Sequence, residues 1–131
     1  MAEANIDLGN LLKFVVENKN IKTDLKVDRN CTIAADDPKP LVKIFNYLLN
    51  YLKLYSKDVI DINLKGQSNG CLLCFIISTD TKKLPPVSDK LNEALRAFNA
   101  TMRIVFEKGM YVQILIYFCR NHVPENVIIE V

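Results

Sequence analysis

Glycine is scarce in this chain, at four in 131 residues, and histidine occurs once, as His122. Both shortages exclude chemistry. Phosphate cradles use turns whose backbone N–H groups converge on an anion, and no Gly-x-x-x-x-Gly-Lys occurs. No order of serine, histidine and aspartate points to a catalytic triad. His122, between Asn121 and Pro124, reads as an exposed tail residue. Cysteine is limited to Cys31, Cys71, Cys74 and Cys119. Cys71 and Cys74 form a Cys-x-x-Cys, a spacing that elsewhere marks a redox or zinc pair. Here they lie in the apolar run Cys-Leu-Leu-Cys-Phe-Ile-Ile. On a strand, residues three apart point to opposite faces, so the two thiols share neither a metal nor a disulfide. All four cysteines read as buried thiols of a reducing compartment, and no metal site is expected.

An excess of one charge is missing too. The formal net charge is +2, and the 17 basic residues are scattered from Lys13 to Arg120. No basic stripe interleaved with aromatics appears, so a nucleic-acid partner is not expected. No apolar run reaches the roughly 18 residues of a membrane span. The first residues, Met-Ala-Glu-Ala-Asn-Ile-Asp, are acidic and polar, unlike a signal peptide. Together these imply a cytoplasmic protein with no membrane partner. What is abundant is apolar side chain, 50% of the sequence. At this length the chain is expected to form one packed domain over residues 1–131, with a core of about residues 6–118 and a tail over 119–131.

Periodicity then orders the chain. Ile6 to Asn18 carries Leu8, Leu11, Leu12, Val15 and Val16 at helical spacing, opened by Asp7 as a cap. Ile21 to Val27 alternates as a strand with Lys22, Asp24 and Lys26 on one face. Cys31 to Ala34 is a short second strand. Asp37 to Ser56 is the central helix, capped by Asp36 or Asp37, with Leu41, Ile44, Phe45, Leu48, Leu52 and Tyr55 on one arc. Lys43, Asn46, Asn50 and Lys53 lie opposite. Val59 to Lys65 and Cys71 to Thr79 form a hairpin around a Gly66–Gly70 turn. A third helix spans Lys90 to Asn99, and Thr101 to Glu107 with Met110 to Phe118 closes the sheet as a second hairpin. Val127 to Val131 could add an edge strand. This order predicts an α/β (α+β) two-layer sandwich: a mixed sheet of five to six strands with three helices on one face.

This layout and several stretches resemble the ATP-binding domain of histidine kinases, the GHKL or Bergerat fold. The likeness runs from Ile6-Asp7-Leu8 through Leu25-Lys26-Val27, then Ile33 to Pro38, Phe75 to Asp80 with Leu84-Pro85-Pro86, and Met102 to Phe118. In that family two asparagines, four residues apart and flanking a Leu-Leu pair, hold magnesium and phosphate. Aligning that pair on Leu48-Leu49 puts Tyr47 and Tyr51 in the asparagine positions. Asn46 and Asn50 keep the spacing one residue earlier, rotated by about 100° around the helix. The adenine-reading aspartate matches Asp80, and the glycines around it match Lys82 and Leu84. The connection from Asp80 to Asp89 contains no glycine. Phenols are poor magnesium ligands, and side chains in the glycine positions obstruct the base.

The resemblance therefore implies a non-catalytic relative without ATP, magnesium or other cofactor. It would act as a protein-interaction module in bacterial two-component signalling. The alternatives are an active ATP-binding kinase or anti-sigma-type regulator using Asn46 and Asn50, and a domain keeping a small ligand in the old pocket. A partner surface is read from alternation in the closing hairpin. With Met102, Ile104, Val112 and Ile114 facing the helices, Val105, Tyr111, Leu115 and Tyr117 make an apolar patch on the outer sheet face. It is expected to take a signalling protein or a second copy of the chain, as a homodimer.

Overall fold

The computed structural model describes residues 5–119. Within them the chain forms three helices and seven strands. Strand β1 (Asn5–Asp7) leads directly into α1 (Leu8–Glu17), where the Asp7 carboxylate accepts the Asn10 N–H at 3.1 Å. This satisfies one of the orphan donors of a helix start. Strands β2 (Thr23–Val27) and β3 (Thr32–Ala34) follow, then α2 (Lys39–Tyr55). The hairpin β4 (Ile60–Gln67) and β5 (Gly70–Ser78) precedes α3 (Lys90–Arg96). Strands β6 (Ala100–Glu107) and β7 (Tyr111–Cys119) close the fold.

The main sheet has five strands in the order β2-β4-β5-β7-β6. Only the β2–β4 pair is parallel. Parallel neighbours need a crossover, and β3 with α2 supplies it. Alternation decides the faces. Ile60, Ile62 and Leu64 on β4, Leu73, Phe75 and Ile77 on β5, and Val112, Ile114 and Ile116 on β7 are all buried. They meet Leu41, Phe45, Leu48 and Leu52 of α2, Leu8 and Leu12 of α1, and Leu95 of α3. Each such side chain contributes about 1.5–3 kcal/mol. The result is the two-layer α+β sandwich with a mixed sheet and its helices on one face.

Four local expectations change. The strand at 31–34 does not join the main sheet: β3 pairs antiparallel with β1, and Ile6 sits opposite Ile33 in a separate two-stranded ribbon. Three residues are too few to display a period, so β1 was hidden in the helix signal. The Gly66–Gly70 turn is shorter than expected, because Gly66 and Gln67 lie in β4 and Gly70 opens β5. A Cβ on Gly70 would stand 1.9 Å from the Phe118 carbonyl oxygen, so glycine there permits close strand approach. Cys71 points inward and Cys74 outward, as alternation requires, and among the described residues no disulfide forms. Only Cys31 and Cys71 are buried; Cys74 and Cys119 are half-exposed on the outer face. Finally, Cys119 belongs to β7, not to a tail. His122 and the expected strand at Val127–Val131 lie outside the described residues.

Candidate functional site

Two places in the fold carry the residues singled out by sequence. The first is the flank of α2 that faces the connection between β5 and α3. Tyr47, Tyr51 and Tyr55 recur every four residues and so rise along one stripe of the helix. The Tyr47 and Tyr51 rings stack with centroids 6.4 Å apart and planes 12° from parallel. Tyr51 meets Tyr55 edge-on at 5.6 Å. Aromatic pairs in these geometries are attractive beyond the area they bury.

The phenols reach across to the connection. The Tyr51 hydroxyl donates to the Pro85 carbonyl oxygen. The Tyr47 hydroxyl accepts the Ser88 N–H at 3.0 Å. Ser88 in turn accepts the Lys90 N–H at the start of α3 through its Oγ, at 3.2 Å. Leu84 and Val87 pack partly buried against the core. The segment is thus a strap held at two points by the helix beneath it. Tyr51 is 9% exposed. Burial first, then the neighbouring Tyr55 and Tyr47, pushes its pKa from 10.0 up to about 12, so it stays a hydrogen-bond donor at neutral pH.

The other positions from the resemblance are placed as follows. Asp80 is exposed and pairs with Lys57 at 3.2 Å. The alternation of β5 continues past its end, so the inward position belongs to Thr79, which is 1% exposed. Its Oγ1 accepts the Thr81 N–H at 3.1 Å. Sequence reasoning missed Thr79, although counting in twos from Phe75 finds it. Lys82 is exposed and Leu84 half-buried within the strap. Asn46 is half-buried, and Asn50 accepts from Lys19 Nζ at 3.0 Å, just beyond the end of α1. The structure therefore brings Tyr47, Tyr51 and the strap together and turns Asp80 and Asn50 to other partners. Between α2 and α3 a groove of about 280 Å³ remains, lined by Pro40, Ile44, Tyr47, Leu91 and Ala94 with Lys43 and Lys90 at its sides.

The second place is the outer sheet face. The register sets Leu115 between Cys74 and Arg103, and Tyr117 between Leu72 and Thr101. Gln113 lies between Ile76 and Val105, and Tyr111 between Ser78 and Glu107. Val105 is thus diagonal to both Leu115 and Tyr111, while Tyr117 lies two residues beyond Leu115 toward the other end of β7. Leu72, Cys74 and Ile76 complete the patch from β5, all half-buried. A dish of about 260 Å³ lies at its centre, lined by Asn63, Lys65, Leu72, Cys74, Gln113 and Leu115. The Gln113 side-chain amide donates to Cys74 Sγ at 3.3 Å across its floor.

This arrangement of strap, central helix and five-stranded sheet defines the class by fold: a two-layer α+β sandwich with a mixed sheet. No family model matches the sequence, and no curated protein does. Solved structures do match, histidine kinases among them. The Escherichia coli osmosensor EnvZ kinase domain superposes with a TM-score of 0.73 at 9% identity, over 99% of this chain and 96% of that one. The ATP-binding domain of PrrB from Mycobacterium tuberculosis gives 0.69 at 10% identity, over 93% of this chain and 100% of that one. Acinetobacter baumannii AdeS gives 0.68 at 11% identity, over 93% and 70% respectively. The chain has the fold of a histidine-kinase ATP-binding domain, and at these identities the likeness is one of fold.

Proposed function

We propose that this chain is a histidine-kinase-type domain that has given up nucleotide chemistry and works by binding protein, in the cytoplasm, within bacterial signalling. One observation carries the reading: the Tyr51 phenol, which the resemblance sets at a family asparagine position, donates to the Pro85 carbonyl of the strap. In this reading the Tyr47 and Tyr51 side chains span the gap between helix and connection that a nucleotide would need. The residues present do not fit magnesium and ATP. A hard cation wants carboxylate or amide oxygens. Of the two asparagines that could offer one, Asn46 and Asn50, Asn50 accepts from Lys19. Asp80 is paired outward with Lys57. The strap has no glycine to let a base approach its backbone.

The binding surface in this reading is the outer face around Leu72, Leu115 and Tyr117. Contiguous apolar surface of this kind marks an interface, and tyrosines favour such places. A thermal-shift titration with magnesium-ATP tests the loss of nucleotide binding. A ligand at 100 times its dissociation constant stabilises by about 2.7 kcal/mol, which in a domain of this size is a shift of several degrees. The reading expects no shift up to millimolar nucleotide. A saturable rise in melting temperature would return the domain to the ATP-binding class.

A further inference from the structure

We propose that the chain self-associates through β6, strand to strand, around a two-fold axis at Val105. The two edges of the main sheet are unlike. β2 is five residues long, alternates Asp24 and Lys26 on its exposed side, and is preceded by Lys22, which pairs with Asp58 at 3.7 Å. A short edge bearing lysines resists pairing with another chain. β6 is eight residues long and contains no proline, and among the described residues no strand lies beyond it. Met102, Ile104 and Phe106 point toward the helix layer yet are only half-buried. Their neighbours on β7, Val112, Ile114 and Ile116, are fully covered. The core runs out at β6 with its apolar side chains still partly in water.

The sequence of β6 is complementary to itself in one register. Facing residues of an antiparallel pair lie on the same side of the sheet and interact directly. With the axis at Val105, that residue meets its own counterpart. Arg103 then faces Glu107 of the second copy on the outer side, and Ile104 faces Phe106 of the second copy on the helix side, each pair occurring twice. Moving the axis to Arg103 sets two arginines against each other. Moving it to Ile104 places Arg103 against valine and Glu107 against threonine. Only the Val105 axis matches charge with charge and apolar with apolar. Among the described residues neither Arg103 nor Glu107 has an ion-pair partner within its own chain. The contact is isologous and therefore closes at two copies. It goes beyond the proposed function and does not rest on it, since a nucleotide-binding domain can pair through the same edge.

The test is a charge swap in the full chain, read by sedimentation equilibrium over a range of concentrations. The unaltered chain is expected to dimerise. Arg103→Glu and Glu107→Arg, made singly, each turn two attractions into two repulsions and should weaken the dimer about tenfold or more. Made together, they regenerate the pair with its signs reversed and should restore it. Leu72→Glu, on the outer face two strands from the edge, should leave the dimer intact. Circular dichroism of all variants should match the parent. Three results overturn the proposal. One is a monomer at every concentration, the outcome expected if residues 120–131 cover this edge. Another is a double variant no better than the single ones, and the third is loss of the dimer on Leu72→Glu.

Discussion

Tyr51 is the residue on which the strap depends, and its chemistry gives two measurable consequences. The first concerns size. Removing a buried aromatic ring typically costs about 3–5 kcal/mol, and Tyr51 is buried while Tyr47 is 37% exposed. Urea denaturation should therefore show Tyr51→Ala losing about 3 kcal/mol or more, with Tyr47→Ala well below it. A loss under about 0.5 kcal/mol, the range of ordinary surface changes, would mean the ring is not holding the strap. The second concerns pH. The folded pKa is about 12 against an ordinary 10.0, so the unfolded chain releases this proton first. The stability due to Tyr51 is complete below pH 10 and is lost as pH rises toward about 12. Tyr51→Phe cannot ionise, so its stability should fall less steeply across that window. An identical alkaline limb in both proteins would contradict the assignment. Gly70 offers a third check, since a Cβ there meets backbone at 1.9 Å whereas one on Gly66 finds only Cys31 Sγ, at 3.8 Å. Gly70→Ala should cost about 2 kcal/mol or more and Gly66→Ala much less, measured by the same denaturation.

Among the elements, α2 and the β6–β7 hairpin divide the work. The helix was legible because its period is long and clean: Leu41, Phe45, Leu48 and Leu52 are fully buried as their spacing demands. The same angular argument set Tyr47 and Tyr51 on a flank and turned Asn46 and Asn50 to the solvent side; Asn50 is exposed and bonded to Lys19, while Asn46 is half-buried. Where those phenols end was not legible, because Tyr51 and Pro85 are 34 residues apart and no local pattern links them. The β1–β3 ribbon was hidden for a related reason: pairing between two three-residue strands leaves no period to read. In the hairpin, alternation gave the outward set Val105, Tyr111, Leu115 and Tyr117 directly. Register then ordered them along the hairpin, with Val105 diagonal to Tyr111 and Leu115. If this face binds a signalling protein, Leu115→Glu at its centre should abolish co-purification of that protein while the melting temperature moves by less than about 2 °C, as for a surface change. Unchanged capture of the same protein by the variant would place the interface elsewhere.

For the molecule as a whole, fold and function separate cleanly. The order of helices and strands, read in periods of two and 3.6, led to the two-layer sandwich, and the histidine-kinase structures superpose on it at 9–11% identity. The framework is thus shared in shape at identities where residue roles do not carry across with the fold. Among the described residues no helix is long and apolar enough to cross a membrane. Taken together, these features make the strap the place where a nucleotide site and an internally filled cleft differ. Isothermal titration of magnesium-ATP into the full chain measures that difference most directly. A cleft spanned by Tyr51 and Pro85 predicts no saturable heat up to millimolar nucleotide; a one-to-one isotherm of micromolar affinity would contradict it.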